Sequence, residues 1–438
     1  MIPVPGGRLI ALFGIPLIFY GASFWWAPLL PLANCCNMLL LVLAGWDLLI
    51  TVPNLRYALK VEKPPLFSIG RNNPLRVKLT NLSRMNQVLR VRLGLPNWVV
   101  DHTPTDLLTI NGLTEKLLTL TLRPTRRGSF RVDYAYLRVA SRYKWFVCDQ
   151  KYRIDLTIEV YPDIKLLNHY LKLTKNNRDY KLGINRTRWM GTGTELESLR
   201  DYQKDDDSKT IDWKASTRLN RPISKVFQME SNNQVMIAVD CGRLMTAEQH
   251  GLSTLDHAVN SVLILAHIAF NAGDTVGIVA FSDHIRGALT QLKGRDSIKK
   301  ITHFLTRLQP ELVESNYELV FDYLEQSQKK RSLCIILTDM IDDINYELFK
   351  TRIAGLSRKH LVLLILLQDS LLAAHAKRVD YHPDDLYAIT ASREMMLHRN
   401  QAIAKLKHYK VNVLDVLPQE LTGPLVNKYL ELKTKNRL

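Results

Sequence analysis

Two carboxylates stand where apolar runs end in the C-terminal half of this 438-residue chain: Asp240 closes "QVMIAVD" and Asp339 closes "SLCIILTD". Serines two and four positions after such an aspartate would add two hydroxyl oxygens to its carboxylate, and magnesium takes a near-octahedral shell of hard oxygen ligands. After Asp240 those two positions are Gly242 and Leu244, which carry no side-chain oxygen. The carboxylate chemistry is present, and the hydroxyls beside it are missing.

Other catalytic patterns are absent. The chain has no His-Glu-x-x-His, no Gly-x-Ser-x-Gly and no phosphate-binding Gly-Lys-Ser/Thr loop. Cys241 has His250 and His257 downstream, but His257 falls within an aliphatic helical pattern, so no dyad is expected. No enzyme is expected, and no cofactor. Five cysteines make no disulfide framework and no zinc spacing, and they suit a reducing compartment.

The elements that would position Asp240 and Asp339 follow from periodicity. From residue 234 onward, short apolar runs alternate with helical patterns: "DTVGIVAFS" and "LVLLILLQD" read as strands, "LDHAVNSVLILAHIAFNAG" and "RDSIKKITHFLTRLQ" as helices. Strands alternating with helices over some two hundred residues predict a doubly wound, mainly parallel α/β sheet. Ligands bind such sheets at the carboxyl ends of the strands, where both aspartates fall.

Ahead of that sheet, residues 56–165 alternate apolar and polar at period two, as in "PLRVKLTNLS" and "QVLRVRLGLP". They predict a small antiparallel β-sandwich. Arg123, Arg126 and Arg127 crowd one turn and are expected on a solvated, lipid-facing surface. Residues 166–233 carry dense charge of both signs and few aliphatic side chains, too few for a core of their own.

Residues 1–55 are different again. No charged residue lies between Leu9 and Trp46, which leaves room for two spans of about 20 residues. "RLIALFGIPLIFYGASFWWAP" and "LANCCNMLLLVLAGWDLLI" are expected as a transmembrane hairpin, with Trp25, Trp26 and Trp46 at the interfaces. Arg8, Arg56, Lys60 and Lys63 flank it on one side, so the rest of the chain is expected in the cytoplasm and the protein in the inner membrane as a multi-pass protein. Asp47 is expected about one turn from the cytoplasmic end, where a carboxylate can reach water. The formal charge of +17 favours acidic partners. Anionic lipid fits that charge better than nucleic acid, since no recognition helix or aromatic-interleaved basic motif is present.

The stretch "GTELESLRDYQKDDDSKTIDWKASTR" is the most specific motif in the chain. Through Gly193, Glu195, Leu199, Arg200, Tyr202, Asp206, Asp212, Trp213, Lys214 and Arg218 it resembles the domain-of-unknown-function family 58 (DUF58). The resemblance implies a von Willebrand factor A-like fold for the sheet domain and partnership with a MoxR-type AAA+ ATPase. On that reading the protein is a membrane-anchored adaptor in the assembly or maturation of protein complexes. The alternatives are anionic lipid or nucleic-acid binding through the basic surface, and a metal-dependent adhesion module. The metal ligands of such a fold would fall at Asp240, Ser315 or Asn316, and Asp339, as a degenerate site with magnesium the candidate ion. The signature charges are expected to pair with one another as a clasp, with Trp213 anchoring the segment against the sheet.

Overall fold

Regular alternation makes the first strands, and unbroken burial makes the last ones. A computed structural model of the chain describes residues 2–62, 66–104, 107–163, 195–203, 211–228, 233–249, 251–339, 343–378, 385–409 and 411–434. The chain divides into two units, Met1–Tyr161 and Pro162–Leu438.

The first unit begins with β1 (Ile2–Pro5), α1 (Gly7–Ala22) and α2 (Leu29–Thr51), then a 3-10 turn over Val52–Asn54. The strands β2 (Tyr57–Val61), β3 (Phe67–Ser68), β4 (Asn73–Asn81), β5 (Gln87–Leu93), β6 (Val99–Asp101), β7 (Leu108–Ile110), β8 (Glu115–Pro124), β9 (Gly128–Ala140) and β10 (Phe146–Tyr161) follow. They make two sheets, β1-β10-β9-β5-β7 with β3 beside β10, and β2-β4-β8-β6. Pairing is antiparallel except for the short β3–β10 rung. In β4, Leu75, Val77 and Leu79 are fully buried while Pro74 and Arg76 face out, the half-buried pattern expected of such strands. The arginine cluster is not one solvated surface: Arg126 is exposed, Arg123 half-buried and Arg127 buried.

Leu29–Asn54 is long and apolar enough to cross a membrane. The first helix stops at Ala22, because Ser23–Pro28 turn the chain instead of continuing the span to Pro28. Its 16 residues rise about 24 Å, short of the roughly 30 Å of a hydrocarbon core. Small residues let the helices approach, with Leu9, Ala33, Leu40 and Ala44 buried while Leu17, Ile18, Met38 and Leu49 stay bare. Both ends of the pair join the same β unit, through β1 on β10 and through the 3-10 turn into β2.

Asp47 does not reach water. Its carboxylate is fully buried and accepts from Ser141 Oγ at 2.6 Å and, more weakly, from Tyr143 N and Thr51 Oγ1 at 3.4 Å. A buried carboxylate needs such donors, and here they tie α2 to the β9–β10 turn.

In the second unit β11 (Glu195–Asp201) pairs antiparallel with β12 (Ile223–Gln228), with α3 (Trp213–Leu219) between them. Then come β13 (Gln234–Asp240), the two-residue strands β14 (Glu248–Gln249) and β15 (Leu252–Ser253), α4 (Thr254–Asn271), β16 (Thr275–Phe281), β17 (Ile285–Leu292), α5 (Ser297–Arg307) and α6 (Tyr317–Ser327). The chain ends with β18 (Leu333–Thr338), α7 (Asp343–Lys359), β19 (Leu361–Leu367), α8 (Ser370–Lys377), α9 (Leu386–His408), β20 (Asn412–Val416) and α10 (Thr422–Thr434). The six-stranded sheet runs β17-β16-β13-β18-β19-β20. Its pairs are parallel except β16–β17, an antiparallel hairpin at one edge. Sequence periodicity missed β17, whose side chains alternate between exposed and half-buried as befits an edge strand.

Helices cover both faces. Val235, Ile237 and Val239 of β13 pack with α4, α5 and α10. Met236 and Ala238 pack with α6, α7 and α9. Burial on both sides is why this strand reads as one unbroken apolar run.

Candidate functional site at the carboxyl edge of the sheet

The strand order reverses between β13 and β18, since the chain runs from β13 to β16 on one side and later returns to β18 on the other. A crevice opens at such a switch point. Asp240 is the last residue of β13, and Asp339 follows the last residue of β18. The sheet therefore brings both aspartates to one edge.

Asp240 is 1% exposed and both its oxygens are occupied by protein donors. Oδ1 accepts from Gly242 N at 2.8 Å and from the Ser315 hydroxyl. Oδ2 accepts from Thr338 Oγ1 at 2.7 Å and Tyr317 Oη at 3.2 Å. Burial pushes this carboxyl above its usual range, against the pull of the four donors. Burial and the charge of Asp240 likewise raise the Tyr317 phenol.

Ser315 arrives on a loop laced to the end of β13. Glu311 N donates to Cys241 O and Arg243 N to Val313 O, both at 2.8 Å. Asn316 turns away and caps α6 through Leu319 N at 3.3 Å. Of the two candidate residues, Ser315 is the one that meets Asp240. A Cβ on Gly242 would lie 2.0 Å from Ser315 Oγ, so the Ser315 hydroxyl fills the space a serine at 242 would need. Leu244 is half-buried.

Asp339 does not join Asp240 and Ser315 in a ligand set. It pairs with Arg399 of α9, Nη1 to Oδ1 at 2.8 Å. Arg399 also donates to Asp415 Oδ1 through Nη2 at 3.0 Å and Nε at 3.2 Å, and to Leu367 O at 3.0 Å. Gln368 Nε2 holds the other Asp415 oxygen at 2.7 Å. Burial works against the charge on Arg399, but Asp339 and Asp415 overcome it and hold the guanidinium above its usual range. Burial pushes Asp339 up to about 6 against the pull of Arg399, and the charges of Asp369 and Asp415 add to the rise.

These residues do not fit a divalent cation. Gly242 and Leu244 offer no side-chain oxygen, Asp240 is saturated by hydrogen bonds, and Asp339 already faces a permanent cation. Among the described residues no three His, Cys, Asp or Glu side chains converge as a metal site. The arrangement can hold strand ends, a loop and α9 in one register, and among the described residues Asp240, Asp339 and Asp415 are each engaged by protein donors or cations. Sequence reasoning missed Thr338, Tyr317, Arg399 and Asp415. Only Thr338, next to Asp339 in "ILTD", had a local signal.

The described part of the signature segment forms β11 and α3, and β11 pairs with β12 in a two-stranded sheet of its own. Asp206 falls outside the described residues. Glu195 opens β11 and Arg200 lies within it, while Tyr202 N donates to Pro222 O at 3.0 Å. Asp212 caps α3 through Lys214 N at 2.9 Å and Ala215 N at 3.0 Å, and it pairs with Lys225 at 3.5 Å. The Ala215 N–H and the Lys225 charge hold its carboxyl below the usual range. Asp201 pairs with Arg221 at 3.1 Å. The capping and pairing partners thus include Lys225 and Arg221, outside the signature set. Arg218 is exposed in the last turn of α3. Trp213 is 73% exposed and does not anchor the segment, because the cap sets the helix with this side chain outward.

A pH dependence follows from Asp339. Its folded value of about 6 lies above an unfolded value near 4, so its neutral form is favoured by folding. The contribution is fully present below about pH 4 and is lost as pH rises through about 6, a difference of about 3 kcal/mol. Calorimetric unfolding of the full chain in detergent is expected to show the parent losing this increment between pH 4 and 7, relative to Asp339→Asn. Equal pH slopes for the two would contradict it.

The fold and site define a two-unit protein with an apolar membrane-length helix, antiparallel sheets and a mixed α/β unit in which Asp240 and Asp339 at the carboxyl edge are engaged by the protein's own side chains. Residues 198–374 match the model of the family described as "Protein of unknown function DUF58", and the chain resembles that family. No curated protein matches the sequence. Three solved structures give partial, remote likenesses. One is native alpha-2-macroglobulin from Escherichia coli, spanning domain MG7 to the C-terminus (18% identity, 24% of this chain and 17% of that chain, TM-score 0.21). Others are proximal thread matrix protein 1 from the mussel byssus (11%, 46% and 46%, 0.28) and PapD-like domain 7 of human CEP192 (13%, 25% and 87%, 0.19). The chain spans less than half the length of the first two, and at these scores none of the three bears on fold or function.

Proposed function

We propose that this is a membrane-anchored protein-interaction adaptor, whose second unit is a doubly wound, von Willebrand factor A-like domain that docks a protein partner from the carboxyl edge of its sheet. The observation that carries the reading is helix α9. Its C-terminal part packs on the sheet through Ile403 and Leu406, and Arg399 pins it level with the strand ends through Leu367 O and Asp415. The thirteen residues before Arg399 then extend about 20 Å further, beyond that level. Arg393 ties this extension to the end of α8, through Ala376 O at 3.2 Å and Arg378 O at 2.9 Å. Tyr387 is 88% exposed, and Leu386, Met395 and Leu397 along the same helix and Leu371 of α8 are exposed as well. Apolar side chains presented this way on polar helices mark protein-binding surfaces.

The resemblance to DUF58 supports a MoxR-type AAA+ ATPase as the partner. The anchor is a hairpin that crosses the inner membrane twice, α2 spanning the hydrocarbon core and α1 together with the apolar Ser23–Pro28 turn making the return, with both units in the cytoplasm. Since both hairpin ends join one β unit, a crossing by α2 requires a return by α1. The full chain is expected to co-purify with a MoxR-type ATPase of the same cell in at least one nucleotide state. A Tyr387→Asp/Leu397→Asp variant is expected to lose tenfold or more of that affinity. No complex in any nucleotide state removes the partner, and a complex indifferent to the variant removes the surface.

A further inference from the structure

The foot of α2 carries a polar cleft that none of the preceding chemistry uses. It is a small open cleft of about 50 Å³ between Thr51 at the end of the helix, Asn86 and Gln87 of β5 and its approach, and the Ser141–Lys144 turn. That turn is closed by Lys144 N on Ser141 O at 2.9 Å, and its Arg142 N donates to Thr51 Oγ1 at 3.3 Å. Arg142 and Lys144 line the cleft with exposed side chains. Arg84 lies on the loop that supplies Asn86, and Arg56 is bound to that loop through Leu82 N on Arg56 O at 2.9 Å. Among the described residues none of these four cations has a carboxylate partner. Asp47, the acid bonded to the turn, has its oxygens engaged by Ser141, Tyr143 and Thr51.

The position of the cleft selects its ligand. Exposed Trp46, Leu49 and Val52 bring the apolar surface of α2 to within a turn of Thr51, so the cleft stands where hydrocarbon gives way to headgroups. Tyr143, Leu82 and Leu113 are exposed on the turn and the flanking loops, as amphipathic and apolar anchors at that level are. Asn86 adds an exposed side-chain amide beside the two cations, while buried Thr51 and Gln87 are bonded within the protein and form the cleft's floor. We infer that this cleft is a phosphate-binding site for the headgroup of an anionic phospholipid beside α2. The inference rests on the proposed crossing of the membrane by that helix.

The test uses the full chain, delipidated in neutral detergent and offered equal amounts of phosphatidylglycerol and phosphatidylcholine, with retained lipid read by native mass spectrometry. The parent is expected to retain phosphatidylglycerol at about tenfold or more over phosphatidylcholine, since each interfacial cation favours an anionic lipid by about 1 kcal/mol. Arg142→Ser/Lys144→Ser is expected to bring the ratio near one, whereas Lys299→Ser/Lys300→Ser on α5 leaves it unchanged. Arg84→Ser, on the neighbouring loop, is expected to lower the ratio without touching the turn. Displacement of the lipid by millimolar inorganic phosphate would reassign the site to free phosphate and overturn the headgroup. A parent without preference, or a preference that survives the Arg142/Lys144 change, overturns the site. Flotation of the chain with phosphatidylcholine vesicles reads the anchor separately: flotation without lipid preference refutes the cleft alone, and failure to float refutes the anchor.

Discussion

Replacing Arg399 by methionine is expected to destabilise the second unit by about 3–5 kcal/mol, the usual cost of removing one partner from a buried ion pair. Its side chain is 5% exposed and that of Asp339 6%, so Asp339 gains no water when the guanidinium leaves. Asp415 is less enclosed, at 19%, and keeps Gln368. Leu367 O loses its donor at the same time. Arg399→Met/Asp339→Leu is expected to recover much of the loss, because it removes the stranded acid together with its partner. Calorimetric unfolding of the full chain measures both. A loss under 1 kcal/mol, typical of surface pairs, would mean that the network is exposed in solution. Hydrogen exchange adds a second readout, since the extension of α9 before Arg399 is expected to lose protection in the single variant.

Restoring the serine at position 242 is expected to harm the site. Gly242→Ser places a Cβ 2.0 Å from Ser315 Oγ and 3.0 Å from Val313 O, and backbone on the same loop cannot simply rotate away. Overpacking of this kind costs about 1–3 kcal/mol. The Ser315 hydroxyl is also expelled from Asp240. Gly242→Ser/Ser315→Gly is expected to return most of the stability, with the new hydroxyl on Asp240 in place of the old one. Neither variant is expected to take up magnesium, since Asp339 stays paired with Arg399, and titration calorimetry reads that directly. A Gly242→Ser protein as stable as the parent that binds magnesium would refute this account of the site.

The apolar run of α2, the alternation in β4 and the unbroken burial of β13 were legible because each records its environment within one segment. Periodicity reports which faces are buried, and for that reason it placed Asp240 and Asp339 at strand ends. The edge strand β17 escaped because its half-exposed residues carry no strong apolar stripe. Asp47 was legible as a carboxylate near the end of a helix, while its acceptance of a hydrogen bond from Ser141, 94 residues on, was not.

The site divides in the same way. The sequence by itself determined that the serines of a magnesium loop are missing after Asp240 and that a hydroxyl near 315 was available. Only the tertiary structure decided between Ser315 and Asn316, because one meets Asp240 while the other caps α6. Only the fold supplied Arg399, 60 residues beyond Asp339, as the cation at the sheet edge. No local pattern encodes such a pairing: its geometry follows from the strand order that packs α9 against the sheet, and its strength follows from the burial that comes with it.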